Sequence, residues 1–270
     1  MTTAGILSVQ FNPILGDKQA NMEKAEEIIH QYGDNNLDLV VLPEFFTTGI
    51  CDKEFINSPE DENGGEIICQ LKETAKRYNT NIVAGTVIEL VDGKRYNTCF
   101  VINRLGEVVG KYRKKHLYNF AGGNEDKYLT PGNETLVVDL DFAKVGISVC
   151  FDIKFPMLYR ELIKKGAEII VSPSAWSTLS AFSEKAKDDF VKTWQGMNMC
   201  RAAENLVYFV TANLVGMGEN NVLSIGNSMI CDPVGAVVAG CDTYESGVYA
   251  EIDLSIVRDF KRLYPVAEME

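Results

Sequence analysis

Two segments of this chain repeat one pattern, and that pattern restricts the fold more than any other feature. Each follows a strand and an amphipathic helix, and each is a near-continuous apolar run ending in a proline and a polar residue: LDLVVLPE at 37–44 and AEIIVSPS at 167–174. Apolar runs without polar alternation are typical of strands covered on both faces. Two related β-α-β units predict a pseudo-symmetric α/β sandwich with sheets inside and helices outside.

Composition excludes several classes of protein. The formal net charge is −12, which argues against a nucleic-acid or anionic-membrane partner. The chain has seven cysteines, no C-x-x-C pair and two histidines, so we expect neither a disulfide framework nor a structural zinc site. We also expect no signal peptide in MTTAGILSVQ, no membrane span, and one cytoplasmic domain over residues 1–270.

Local patterns predict the main helices and turns. Helical spacing of apolar residues predicts helices from about Lys18, over Gly65–Tyr78, over Pro156–Lys165, and over Asp188–Glu204. Asp-Gly at 92–93 predicts a type I′ hairpin, and SIGNSMIC at 224–231 is interpreted as one strand.

The region from 114 to 134 is rich in Gly, Asn and Asp, and loops of that length are usually functional or disordered.

Cys150 is the first candidate for chemistry. Most buried cysteines only fill space. This cysteine, however, ends a β-branched strand and begins a helical segment, and a nucleophile on such a turn is exposed by the turn itself. The N–H of Phe151 would then point to where an oxyanion forms, and the helix start would favour the thiolate.

Glu44 and Lys114 are the next candidates. Glu44 closes the first apolar run and could serve as a general base if another strand end places a thiol beside it. Lys114 follows a β-branched strand and could lower the pKa of a thiol or bind an oxyanion, although basic runs are more often solvated surface. His116 is a competing base, but no second residue in the sequence is marked to orient it.

Three blocks, VVLPEFF, GKYRKKHL and GISVCFDIKFP, resemble in that order the signature blocks of the nitrilase superfamily, the carbon–nitrogen hydrolases. The resemblance covers nearly the whole chain and implies a four-layer α-β-β-α sandwich. It also implies that Glu44 is the general base, Lys114 the site lysine and Cys150 the nucleophile. Glu125, next to Asp126, best matches a second carboxylate in the loop. No metal or organic cofactor is implied, and the family dimerises through helices corresponding to 156–165 and 188–204.

The residues around the candidate nucleophile and base bear on the class of substrate. Phe151-Asp152 after the cysteine resembles the amidases rather than the Trp-Glu of nitrile-cleaving members. LPEFFTTG resembles the omega-amidases, which release ammonia from an ω-amide of a dicarboxylic acid. Lys154 and Met157 replace an arginine and a glutamate of related amidases, and Trp176 and Trp194 either line the pocket or pack in the core. An N-carbamoyl amine or amino acid hydrolase, and a catalytically silent binding protein, remain alternatives.

Overall fold

The structure is a computed structural model that describes residues 2–120 and 123–265. Its strands are β1 Thr3–Gln10, β2 Leu39–Val41, β3 Asn81–Val83, β4 Val87–Val91, β5 Lys94–Ile102, β6 Val108–Arg113, β7 Leu136–Asp139, β8 Lys144–Ile147, β9 Ile169–Ser174, β10 Ser177–Leu179, β11 Tyr208–Asn213, β12 Val215–Met217, β13 Val222–Ile225, β14 Met229–Cys231, β15 Val237–Gly240 and β16 Ser246–Asp253. The helices are α1 Lys18–Gln31, α2 Asp52–Asn57, α3 Gly65–Tyr78, α4 Glu125–Tyr128, α5 Pro156–Lys164, α6 Glu184–Asn205 and α7 Leu254–Leu263.

Two large sheets face each other at the centre of the molecule. The first has the order β16-β1-β2-β3-β5-β4, with β6 also beside β5, and the second has the order β15-β14-β11-β9-β8-β7. The two repeated apolar runs become β2 and β9, each paired in parallel with strands on both sides. A small third sheet, β10-β13-β12, lies beside them.

Alternation along the strands builds the layers. On β1, Leu7 and Val9 pack with Met22 and other residues of α1 and α3, whereas Ile6 joins the core shared with the second sheet. Ser8 Oγ crosses between the sheets and donates to the carbonyl oxygen of Thr211 on β11, at 2.7 Å. Helices α5 and α6 cover the outer face of the second sheet. The predicted four-layer α-β-β-α sandwich is confirmed.

Most predicted boundaries agree with the structure, and two differ. The Asp92-Gly93 turn has φ of +49° and +74°, as a type I′ hairpin requires. The segment 224–231 is two strands rather than one, because Gly226 and Asn227 both take positive φ and break the extended backbone. Helix α6 begins at Glu184, four residues before the predicted start, where the Ser183 side chain caps it.

No helix within the described ranges is long and apolar enough to cross a membrane.

Candidate active site

The candidate residues lie where strands of both large sheets end. Glu44 follows β2 and Lys114 follows β6 in the first sheet, while Cys150 follows β8 in the second. The backbone N–H of Ala175, after β9, donates to Glu44 Oε2 at 3.0 Å and so joins the two sheets at this point. The sandwich therefore brings together three residues that are more than a hundred positions apart along the chain from first to last.

Lys114 sits between two carboxylates. Its Nζ lies 2.8 Å from Glu44 Oε1 and 2.8 Å from Glu125 Oε1, and its side chain is fully buried. Asn97 Nδ2 also donates to Glu44 Oε1, at 2.7 Å. An ammonium has three donors, so two are used here and one is left for a substrate.

Glu125, not its neighbour Asp126, belongs to this cluster. Glu125 is buried, and its Oε2 accepts a hydrogen bond from the backbone N–H of Tyr118 at 3.1 Å. Asp126 is exposed, and its backbone N–H donates to Asn119 Oδ1. The short helix α4 inside the long loop separates the two side chains, because adjacent residues on one turn point in different directions.

Burial and charge set the protonation of the cluster. Burial lowers the pKa of the Lys114 ammonium, but Glu125 and Glu44 outweigh it, so the pKa lies above its usual value and the lysine is charged. Burial raises the pKa of Glu125 to about 7 although Lys114 opposes the change. Burial and Glu44 raise the pKa of the Cys150 thiol well above its ordinary value. The expectation that the helix start favours a thiolate is therefore wrong for the resting site, because desolvation outweighs it.

Cys150 occupies a strained turn. Its φ is +46°, a left-handed conformation that costs a non-glycine residue ~1–2 kcal/mol. The residue begins a 3₁₀ turn, Cys150–Lys154, which leads into α5 at Pro156. The strand-to-helix turn predicted from the sequence is thus present, and Phe151 directly after it lines the adjoining cavity.

Asp152 holds this turn and was not identified from the sequence. Its Oδ2 accepts from the backbone N–H of Val149 at 2.9 Å and from the Tyr112 hydroxyl at 2.6 Å. Its Oδ1 accepts from the backbone N–H of His116 at 3.1 Å and lies 2.7 Å from His116 Nδ1. The sequence signal for this role is an acidic residue two positions after Cys150. That position alone does not show that Tyr112 and His116 are its hydrogen-bond partners.

A cavity of about 170 Å³ lies beside Cys150. Glu44, Glu125, Cys150, Phe151 and Trp176 all contribute to its lining. The remaining lining residues, within the described ranges, are Phe45, Ile50, Asp52, Phe55, Tyr118, Gly123, Asn124, Ala175, Ser177, Thr178, Leu179, Phe182, Phe190 and Val222. Most of this surface is apolar, as in typical small-molecule sites.

Three other predicted residues lie outside the lining. Lys114 is fully buried and contacts the lining residues Glu44 and Glu125. Lys154 is exposed, and its Nζ lies 5.6 Å from the centre of the Trp176 ring. Trp194 is fully buried, stacks on Trp176 and donates from Nε1 to the carbonyl of Asn227 at 2.9 Å. Trp176 therefore forms part of the cavity wall, and Trp194 packs behind it in the core.

Known proteins resemble this chain along almost its whole length. The family model described as carbon-nitrogen hydrolase matches residues 6–262. A 2-oxoglutaramate amidase of Bacillus subtilis is 32% identical over 261 residues, which cover 97% of this chain and 95% of the relative. An omega-amidase of Saccharomyces cerevisiae is 28% identical over 275 residues, covering 96% of this chain and 90% of the relative.

A solved structure agrees with the fold. The crystal structure of Saccharomyces cerevisiae Nit3, a member of branch 10 of the nitrilase superfamily, superposes with a TM-score of 0.85 at 26% identity. The match covers 99% of this chain and 96% of that one. With the signature residues assembled in one buried cluster and the family model matching nearly the full length, the chain belongs to the carbon–nitrogen hydrolase family.

Proposed function

We propose that this protein hydrolyses the ω-amide of a short dicarboxylic acid and releases ammonia through a thioester on Cys150. The observation that carries the proposal is the buried Glu44–Lys114–Glu125 cluster, whose two carboxylates line the cavity together with Cys150. The similarity to a 2-oxoglutaramate amidase and an omega-amidase supports the choice of substrate class.

The first half of the reaction forms the thioester. Glu44 takes the proton of the Cys150 thiol as Sγ attacks the amide carbon, because the raised thiol pKa means that a base is needed. The third Nζ donor of Lys114 and the N–H of Phe151 hold the oxyanion. Glu44 then gives its proton to the leaving nitrogen, the C–N bond breaks, and ammonia departs.

The second half releases the acid. Glu44 accepts a proton from water, whose oxygen attacks the thioester carbon. The C–S bond then breaks, and Glu44 returns the proton to Sγ, which restores the thiol. Glu44 can repeat its role because its two oxygens accept three hydrogen bonds from Asn97, Lys114 and Ala175. A carboxylate offers about four acceptor positions, so one remains for the moving proton. Glu125 holds Lys114 in place throughout.

Lys154 is the cation we assign to the substrate's far carboxylate. Its Nζ lies over the ring of Trp176, which belongs to the cavity wall, and its exposed side chain is available to turn toward the substrate. Lysine supplies a point charge rather than the planar pair of donors that arginine offers. We therefore expect this carboxylate to be bound less rigidly than in related amidases with arginine at this position.

We also propose that the protein is a homodimer or higher homo-oligomer. Met157 on α5 and Met199 on α6 are exposed on the outer helical layer. The two helices are joined by Arg160 of α5, whose Nη1 donates to the carbonyl of Glu204 on α6 at 3.2 Å. An outer layer with exposed methionines on adjoining helices is suited to pack against a second copy.

The experiment that tests the activity is ammonia release from three substrate classes at equal concentration: short ω-amides, N-carbamoyl amines and aliphatic nitriles. We expect the native enzyme to hydrolyse the ω-amides fastest of the three classes, and we expect Cys150→Ala to release no ammonia from them. Faster nitrile turnover would reject the amidase assignment. Turnover of carbamoyl compounds alone would replace the proposal with an N-carbamoyl amine hydrolase.

A further inference from the structure

Asp52 is a charged group on the cavity wall that the reaction described above does not use. It is the first residue of α2, partly buried, and lines the same cavity as Cys150. Asn124 Nδ2 donates to Asp52 Oδ2 at 3.0 Å. In the chain as described, no lysine or arginine lies within ion-pair distance of Asp52.

A second hydrogen bond fixes the orientation of the Asn124 side-chain amide. Lys127 Nζ donates to Asn124 Oδ1 at 2.6 Å, which turns the amide nitrogen toward Asp52. The lysine therefore acts on Asp52 only through a neutral amide. Among the described residues, Asp52 therefore has a neutral hydrogen-bond donor beside it and no direct ion-pair partner.

The rest of the lining also suits a cation better than an anion. Among the described lining residues there is no lysine or arginine, and aromatic rings are frequent: Phe45, Phe55, Tyr118, Phe151 and Trp176 among them. The faces of aromatic rings attract cations through their quadrupole. A carboxylate and several rings around one small cavity form a suitable environment for an alkylammonium group.

We propose that Asp52 binds an ammonium group at the far end of the substrate. The preferred ω-amides are then those of amino dicarboxylic acids rather than of simple dicarboxylic acids. This inference rests on the proposed function: Cys150 receives the amide carbon, Lys154 receives the carboxylate, and Asp52 receives the ammonium. Asp52 is a specificity-determining residue and takes no part in breaking bonds.

A purely structural role for Asp52 makes a different prediction. An acidic side chain at the start of a helix stabilises that helix by interacting with its dipole. That contribution would be the same whatever substrate is present. Dependence on the charge of the substrate therefore separates the two roles.

Four primary amides test the proposal as a charge cycle. Glutamine carries both charged groups, glutaramate only the carboxylate, γ-aminobutyramide only the ammonium, and butyramide neither. Glutamine is compared with glutaramate, and γ-aminobutyramide with butyramide. In the native enzyme we expect both ratios of kcat/KM to be about ten in favour of the amide that bears the ammonium, mainly through KM. In Asp52→Asn both ratios should fall to about one.

Asp126→Asn is the matched control, because the same substitution is made at an aspartate that is exposed and lies outside the cavity lining. It should leave both ratios unchanged. Native ratios of one, or ratios that survive in Asp52→Asn, would overturn the proposal.

A binding measurement distinguishes a failure of the Asp52 assignment from a failure of the proposed function. Calorimetry of γ-aminobutyramide with Cys150→Ala, and with the double variant that adds Asp52→Asn, needs no turnover. If none of the four amides is hydrolysed, the proposed function fails. The Asp52 assignment still stands or falls on whether Asp52→Asn weakens that binding about tenfold.

Discussion

His116 Nδ1 lies 2.7 Å from Asp152 Oδ1, and this contact gives the histidine a structural role beside the site. The His116 ring also stacks on Phe155 with centroids 3.5 Å apart. His116 is absent from the cavity lining, which includes Cys150. The histidine that competes in the sequence for the role of base instead helps to hold the turn that carries the nucleophile.

Lys114→Ala and His116→Ala should therefore differ sharply in their effects. Loss of Lys114 removes the proposed oxyanion donor and leaves two buried carboxylates together, so we expect kcat to fall at least ~10²–10³-fold. Loss of His116 should lower the melting temperature and cost much less in kcat. Steady-state kinetics with thermal unfolding measures both, and the opposite ranking in kcat would favour a Cys–His site.

Cys150→Ala should abolish turnover while the protein stays folded, as judged by ammonia release and circular dichroism. Appreciable hydrolysis by the purified variant would reject Cys150 as the nucleophile.

The backbone at Cys150 makes a second prediction. Because its φ is +46°, alanine remains strained there and glycine does not, so Cys150→Gly should be more stable than Cys150→Ala by ~1 kcal/mol. Cys231, buried in strand β14, is the control, and there glycine should be the less stable replacement. Denaturant unfolding compares the two pairs, and the same order at both positions would refute strain at Cys150.

Stability should depend on pH through Glu125. Burial raises the pKa of Glu125 to about 7 from 4.5, so the folded state holds a proton that the unfolded state has lost. The resulting stabilisation is present below about pH 4.5 and is lost as the pH rises through about 7.

Denaturant unfolding between pH 4.5 and pH 8 measures this loss. Glu125→Gln cannot titrate, so its free energy of unfolding should fall less over that interval than that of the native protein. Equal slopes for the two proteins would contradict the raised pKa.

Light scattering at micromolar concentration should show at least a dimer. Met157→Glu combined with Met199→Glu should shift the protein toward the monomer, because charges would replace exposed apolar contacts on α5 and α6. Leu105→Glu, at an exposed turn between β5 and β6, is the control and should leave assembly unchanged. A monomeric native protein would contradict the proposed assembly.

The sequence by itself determined the layered fold and the places of Glu44, Lys114 and Cys150. The apolar runs indicate the buried strands β2 and β9, and the resemblance of three sequence blocks to the carbon–nitrogen hydrolases indicates the four layers and the three site residues. Strand ends of stacked sheets meet at a common edge, so the three residues could be placed near one another before any contact was known.

Only the tertiary structure decided which groups surround them. The pairs Asp152–His116 and Asp52–Asn124 are separated by 36 and 72 positions. Glu125 rather than Asp126 faces Lys114 because of how one short helical turn is set in a long loop, and Lys154 lies outside the cavity over Trp176. Loop side chains have no periodic pattern that fixes their direction. Their positions depend on contacts between distant segments, which form only when the two sheets pack together.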